Sequence, residues 1–247
     1  MNKTLIFIPT YNEKDNVRPL YDRIKKLNLQ ADILFLDDNS PDGTGAIMDS
    51  IRNLDASVHV IHRSGKLGIG SAHKEGILWA YKNGVETLVT MDADFTHTPE
   101  SIPDLIRAAK TYDIGVASRY LQEDSLKGWN LMRKGMTNLA HILTGVLLGL
   151  KYDSTGAFRV YQLKRIPMNF VSHVESNGYS FFFESLYHLN RSGFEIVEMP
   201  IALPPRTYGS SKMSYFEIFR SVKQLFTLFF KGLFQPKIAR LDSIKAF

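Results

Sequence analysis

The chain has no cysteine among its 247 residues. Disulfides, thiolate metal sites and cysteine nucleophiles are therefore excluded together, and the composition suits a reducing compartment. Nor is there an unbroken run of the ~20 apolar residues that a membrane-spanning helix requires. Gly135 to Leu150 carries no Asp, Glu, Lys or Arg, but it is too short and includes Asn138 and His141. Tyr215 to Phe234 is interrupted by Glu217, Arg220, Lys223 and Lys231. Met1-Asn2-Lys3 leads directly into the strand-like Thr4 to Ile8 with no signal peptide, so the expectation is a cytoplasmic protein. Internal repeats and low-complexity linkers are missing as well. A concentrated basic stripe with interleaved aromatics is also absent, which argues against nucleic acid as a partner.

What is present is ordinary for a globular protein: 44% hydrophobic residues, enough for a sizeable core in one domain or a domain with an appendage. Thirty basic residues against 25 acidic give a net charge of +5, a modest excess that suits anionic partners such as nucleotides or acidic lipid.

In the first half, short apolar runs alternate with amphipathic stretches. Leu5 to Ile8, Ile33 to Leu36, Val58 to Ile61, Thr87 to Met91 and Ile114 to Ala117 read as buried strands. Asn16 to Leu27, Gly45 to Leu54, Gly70 to Lys82 and Pro99 to Thr111 read as helices between them. This alternation predicts an α/β fold with a mainly parallel sheet and helices on both faces. Ligands of such sheets bind beyond the carboxyl ends of the strands. The second half adds helices at Leu131 to Leu150, Phe181 to Asn190 and Tyr215 to Phe234, and strands at Thr155 to Tyr161 and Glu195 to Leu203.

Chemistry-bearing residues gather just after the expected strand ends. Asp92-Ala93-Asp94 follows the fourth. On an extended backbone positions i and i+2 share a face, and two carboxylates side by side repel unless a cation lies between them. Mg²⁺ or Mn²⁺, keeping most of its coordination sphere for water and phosphate oxygens, needs only one or two protein carboxylates. Alone the pattern is unspecific, because short acidic pairs are common in surface turns. Pro9-Thr10-Tyr11-Asn12-Glu13 follows the first strand, where proline should end the ladder. Tyr11 could stack on a base and Glu13 accept from base or ribose, or the segment is a plain loop with Asn12 as helix cap.

Asp37-Asp38-Asn39-Ser40-Pro41-Asp42-Gly43-Thr44 contains a tight Asp-Gly turn. One of its first two acids, Asp38, is suited to accept from the N–H groups of a purine or uracil edge. The other serves as a cap or a solvated turn residue. Arg63 to Gly70 is a glycine-rich basic loop at a helix start, where helix N–H groups and Lys66 could face phosphate; its spacing is not that of a P-loop. Ser118-Arg119-Tyr120, Arg133, Arg206 and Lys212 add cations, the last two in a loop suited to close over a diphosphate.

Together these motifs resemble the inverting GT-A glycosyltransferases of family 2, and within them the dolichyl/polyprenyl-phosphate mannose synthases. The matching elements also include Gly128-Trp129 with Arg133-Lys134, Thr155-Gly156-Ala157-Phe158-Arg159, Gly178-Tyr179 and Arg206 to Lys212. The resemblance implies a Rossmann-like GT-A catalytic domain over residues 1–213 and a C-terminal amphipathic helix with a basic tail over 214–247. It also implies a nucleotide-sugar donor, Mg²⁺ or Mn²⁺, and a polyprenyl or dolichyl phosphate acceptor. Carried over by motif, Pro9, Tyr11, Glu13, Leu36, Asp38, Lys66 and Ala93 would contact the nucleotide sugar. Asp92 and Asp94 would hold the metal, and Arg119, Arg206 and Lys212 would face the diphosphate. Arg133 and Thr137 would face the acceptor phosphate, and Asp92, Asp94, Arg119, Arg133 and Arg206 would carry catalysis. Thr96 stands where some relatives place a glutamine metal ligand, so the third ligand would be its hydroxyl or a water. Phe182 replaces a polar residue near Glu184, which leaves the sugar pocket open.

The chemistry is consistent with such an acceptor. A phosphate monoester has its second pKa near ~6 and needs positive charge to position it rather than a base to activate it. A saccharide acceptor, the nearest rival, needs a general base, and Glu184 or Glu175 would have to serve. UDP-glucose could replace GDP-mannose as the donor, and a nucleotide-sugar binder without catalysis would carry many of the same motifs. The final helix, with Lys237, Arg240 and Lys245 beyond it, either lies in a bilayer interface or packs on the core. In the first case the protein is peripheral on the cytoplasmic face. In the second a small membrane subunit would bring enzyme and lipid together.

Overall fold

The computed structural model describes residues 3–204 and 214–234. Seven strands form one sheet: β1 (Thr4–Thr10), β2 (Ala31–Asp37), β3 (Val58–His62), β4 (Thr87–Thr90), β5 (Ile114–Ser118), β6 (Arg159–Gln162) and β7 (Ile196–Pro200), in spatial order β3-β2-β1-β4-β6-β5-β7. All neighbours run parallel except β6, which is antiparallel to both β4 and β5. The helices are α1 (Lys14–Lys26), α2 (Thr44–Leu54), α3 (Ile69–Lys82), α4 (Ile102–Ala108), α5 (Leu131–Leu148), α6 (Phe181–Arg191) and α7 (Tyr215–Phe234).

Strand alternation sorts the core into two layers. Leu5, Phe7, Leu34, Leu36 and Leu88 face Ala72, Ile77 and Ala80 of α3 and Phe181 and Leu186 of α6. Ile6, Ile8, Ile33, Phe35 and Val89 face Val17, Leu20 and Ile24 of α1, Met48 and Ile51 of α2, and Leu105 of α4. Each fully buried side chain of this kind contributes roughly 1.5–3 kcal/mol. The expected mainly parallel sheet with helices on both faces is the observed one.

Local differences have local causes. Pro9 stays inside β1, paired with Leu36. The Phe7 carbonyl faces β4, accepting from the Met91 N–H, so Pro9, two residues on, turns its missing donor to the same side, beyond the last β4 partner. Strand β6 starts at Arg159 rather than Thr155, because the Ser154 and Gly156 carbonyls turn inward to accept from Arg159. Met168–His173 forms a short 3₁₀ turn, too brief to carry a readable period.

Helix α7 packs beside α5 and buries Leu225 and Leu228 in the core. Its predicted apolar stripe is divided: Leu225 points inward, while Tyr215, Phe219, Val222, Phe226 and Leu233 are exposed. On α5, Leu131, Met132, Met136, Leu139, Ile142 and Val146 are exposed as well. No helix among the described residues is long and apolar enough to cross a membrane.

Candidate active site

The carboxyl ends of the parallel strands share one edge, and the loops leaving them brace one another. After β1, the Ser40 hydroxyl accepts from the Asn12 N–H (2.9 Å), the Thr44 hydroxyl from Glu13 (2.9 Å) and Asp42 from Lys14 (3.2 Å). The opening N–H groups of α1 are thus satisfied by the loop after β2. Asn12 adopts a left-handed backbone (φ 56°), and the cap position belongs to Glu13 instead. Glu13 is buried and accepts from Asn16 Nδ2 at 2.6 Å. Tyr11 is half-buried, and Lys66 Nζ lies 4.4 Å from its ring centre, within cation–π range. A flat aromatic face and an ammonium group therefore meet on this edge.

Asp37 closes its own turn by accepting from the Ser40 N–H and hydroxyl. Asp38 is buried against Arg63, whose guanidinium also donates to Ser71 Oγ (2.7 Å) and the Gly68 carbonyl (3.3 Å). Burial pushes the Asp38 carboxyl up from the ordinary range, and the pairing with Arg63 pulls it back only in part. Leu36 is buried in the core with its carbonyl accepting from the Thr10 hydroxyl, so its side chain stays behind the site.

Asp92-Ala93-Asp94 lies just past β4 in a bend rather than on an extended strand, so the two carboxylates differ in setting. Asp94 is buried and its Oδ1 accepts from the Thr96 N–H (3.1 Å) and hydroxyl (2.6 Å). The side chain of Asp92 is 35% exposed, and its N–H donates to His97 Nδ1 at 2.9 Å. Phe95 takes a positive φ of 63°, a conformation that costs a β-carbon-bearing residue on the order of 1 kcal/mol, with the Arg23 guanidinium 5.1 Å over its ring. Among the described residues no group of three or more His, Asp or Glu could cage a metal. Two hard oxygen donors at a strand tip do fit an Mg²⁺ or Mn²⁺ ion completed by substrate oxygens. Thr96 spends its hydroxyl proton on Asp94, orienting that carboxylate.

After β5, Arg119 Nε donates to the fully buried Asp153 at 2.7 Å, and the Arg119 N–H donates to the same oxygen. Tyr120 stacks on His141, and its hydroxyl donates to the Thr137 carbonyl (3.0 Å) on α5. One turn earlier, the Arg133 guanidinium sits 3.5 Å over the Trp129 ring, whose Nε1 donates to the Leu203 carbonyl. Asn130 caps α5 by accepting from the Arg133 N–H. Arg119 and the Arg133–Thr137 face are thereby joined through Tyr120. Arg206 and Lys212 fall outside the described residues, as do Lys237, Arg240 and Lys245.

Glu184, fully buried on α6, accepts from the N–H groups of Glu175 (2.8 Å) and Ser176 (3.0 Å). Glu175 itself is exposed and paired with Lys231 of α7 (2.8 Å). The segment that Glu184 anchors packs against the glycine-rich loop: the Asn177 carbonyl accepts from the Ser71 N–H, and Lys74 Nζ donates to Asn177 Oδ1 at 2.9 Å. A β-carbon at Gly68 would collide with the Asn177 carbonyl, and one at Gly70 would stand 2.6 Å from that of Gly178. His97 and Asp153 are supporting residues that motif reading passed over; Arg63 was read only as the start of the glycine-rich loop, and Glu184 only as a candidate base for a saccharide acceptor.

Residues 5–186 match glycosyl transferase family 2. The polyprenol monophosphomannose synthase of Mycolicibacterium smegmatis is 37% identical over 215 residues, 86% of this chain and 81% of that protein. The undecaprenyl-phosphate mannosyltransferase of Micrococcus luteus is 36% identical over 213 residues, 86% of this chain and 88% of its own. Among solved structures, glucosyl-3-phosphoglycerate synthase from Mycobacterium tuberculosis, in complex with Mn²⁺, UDP and glucosyl-3-phosphoglycerate, superposes with a TM-score of 0.64 at 17% identity, over 94% of this chain and 79% of that one. A mannosyltransferase from Pyrobaculum calidifontis, bound to GDP-mannose and Mn²⁺, gives 0.55 at 13% identity, over 96% and 65%. At these identities the structural likeness is one of fold.

Proposed function

The chain belongs to glycosyl transferase family 2, and from that premise we propose that it transfers mannose from GDP-mannose to a polyprenyl or dolichyl phosphate, inverting the anomeric carbon. The observation that carries this reading is a shared edge of the sheet: Asp92 and Asp94 follow β4, Arg119 and Tyr120 follow β5, and the Tyr120 hydroxyl ties that loop to Thr137, one turn from Arg133. The names of the two relatives, each about as long as this chain, point to the same acceptor class.

In this reading Tyr11, Glu13 and Asp38 hold the nucleoside, Asp38 as part of its pair with Arg63. Lys66, Arg119, Arg206 and Lys212 face the diphosphate. Asp92 and Asp94 hold Mg²⁺ or Mn²⁺, which when bound offsets the charge of the departing diphosphate. Arg133, seated on Trp129, positions the acceptor phosphate with Thr137. That phosphate is largely dianionic at neutral pH, so its oxygen attacks the anomeric carbon without surrendering a proton, and the nucleoside diphosphate leaves from the opposite side. A saccharide hydroxyl would need a base. Glu184 is consumed by two backbone N–H groups and Glu175 by Lys231, which disfavours a saccharide acceptor.

The outward apolar faces of α5 and α7 support attachment to a membrane surface, peripheral and on the cytoplasmic side, where a lipid acceptor resides. The direct test incubates the protein with Mn²⁺, polyprenyl phosphate and labelled GDP-mannose, GDP-glucose, UDP-glucose and UDP-galactose. Label in the organic phase from GDP-mannose alone is the expected result. Label only from a UDP-sugar, or only on a saccharide, refutes the assignment.

A further inference from the structure

Arg159, first residue of β6, is fully buried. Its five N–H donors meet five neutral acceptors. Nε donates to the Gly156 carbonyl (2.9 Å), Nη1 to Ser185 Oγ (3.0 Å) and the Tyr161 hydroxyl (3.3 Å), and Nη2 to the carbonyls of Ser154 (2.9 Å) and Phe182 (2.8 Å). No carboxylate among the described residues pairs with it. Burying a cation without a counter-ion is costly even when every hydrogen bond is made, so its charge has to be answered from elsewhere.

The surroundings amplify that charge. Gly156, whose carbonyl Arg159 holds, has Arg119 Nη2 on its other side, 3.2 Å from where a β-carbon would stand. The carboxylates at that turn are committed elsewhere, Asp153 to Arg119 and Glu198 to the Asp153 N–H. His73, fully buried against Phe181 and Phe182, stays neutral to about pH 3, chiefly through burial and secondly through the charge of Arg159. In register Arg159 lies opposite Thr90, two residues before Asp92, at one strand spacing of ~4.8 Å. Sealed from solvent, its field is not screened by salt as that of an exposed lysine would be.

We propose that Arg159 is a positioning residue for the donor diphosphate: its buried, unpaired charge draws the anion to the edge bearing Asp92 and Asp94, while its hydrogen bonds fix the Ser154–Gly156 turn behind Arg119. The inference rests on the nucleotide-sugar reading above and adds to it a long-range electrostatic source that touches no substrate.

The test titrates GDP against guanosine, and UDP against uridine, into wild type, Arg159→Gln, Arg159→Lys and Ser185→Asp. The last variant leaves Arg159 in place and neutralises it where Ser185 Oγ now sits. For Arg159→Gln and Ser185→Asp, diphosphate affinity falls on the order of tenfold and nucleoside affinity holds to within about twofold, whereas Arg159→Lys keeps the wild-type preference. Unchanged diphosphate affinity in both neutralised variants, or a parallel loss of both ligands, overturns the proposal. Should Arg159→Gln fail to fold, Ser185→Asp and Arg159→Lys still decide it, since loss of the preference in the lysine variant contradicts a role for charge. Wild type that binds neither GDP nor UDP sinks the nucleotide reading itself instead.

Discussion

Arg63 lays its guanidinium against Asp38 across 25 residues of chain, both side chains buried, and from there reaches Ser71 and Gly68. The pair makes the loop after β2 and the glycine-rich loop before α3 one body. Asp38→Ala would therefore leave the buried Arg63 with only the exposed Glu75, 3.9 Å away, as ion-pair partner, at a cost of up to about 3–5 kcal/mol. Denaturant unfolding should show this loss together with weaker nucleoside diphosphate binding. A variant as stable as wild type would show the pair to be idle.

For the metal, Asp92→Asn and Asp94→Asn should each lower turnover by ~10²-fold or more, because the departing diphosphate loses its counter-ion. Chelator treatment of wild type should do the same, with recovery on adding Mn²⁺. Activity insensitive to chelator contradicts the assignment.

Arg133→Ala should raise the apparent KM for polyprenyl phosphate by at least ~10-fold and leave that for the sugar nucleotide near wild type, since one charge-assisted contact is lost. Steady-state kinetics with each substrate varied in turn makes the comparison. Impairment confined to the donor would move Arg133 to the other side of the site.

Glu184 sets a pH dependence. Burial alone raises its pKa, but the His188 ring 3.8 Å away, Ser176 and the backbone N–H groups of residues 175 and 176 outweigh that and hold it below the usual glutamate range. The unfolded chain, with an ordinary value near ~4.3, takes up its proton first as pH falls. The resulting stabilisation is complete above that value and is lost as pH drops through the folded one. Glu184→Gln should cost ~1–3 kcal/mol at pH 7, one amide oxygen facing two N–H groups, and the deficit should shrink at about pH 3.5. Urea melts at the two values measure it. An equal deficit at both assigns the effect to packing alone.

The exposed aromatics of α7 predict where the protein settles. Removing the whole helix would also uncover the core around Leu225 and Leu228, so the informative change is confined to the outer face. Phe219→Ser with Phe226→Ser should reduce sedimentation with anionic liposomes by roughly 10-fold or more, with GDP affinity unaltered. Sedimentation that persists would transfer the contact to Leu131, Met136, Leu139 and Val146 on α5.

The first half of the fold was readable because buried strands such as Ile33 to Leu36 end in residues that leave a sheet, Asp42-Gly43 among them. Asp92-Ala93-Asp94 was visible for the same reason, an acidic pair where an apolar run stops. What escaped reading was partnership. Asp38 looked available to a base until β2 and β3 set it beside Arg63, and Arg119 looked like a free cation until Asp153 arrived from 34 residues away. The second meeting depends on β6 entering antiparallel between β4 and β5, which no local pattern in Arg159 to Gln162 announces. In Tyr215 to Phe234 the period revealed a stripe but not its direction, since only packing on α5 and α6 decides which face turns outward.

The contact of Gly68 and Gly70 with Asn177 and Gly178 has a consequence for synthesis. Lys74 and Asn177, which close that joint, are 103 residues apart. When a chain emerges from the ribosome amino end first, Tyr11, Asp38, Lys66, Asp92 and Asp94 are all outside while the segment that backs the glycine-rich loop is still unmade. The residues proposed to face the donor are produced early, whereas the glycine-rich loop gains its backing only once the segment leading into α6 has been translated.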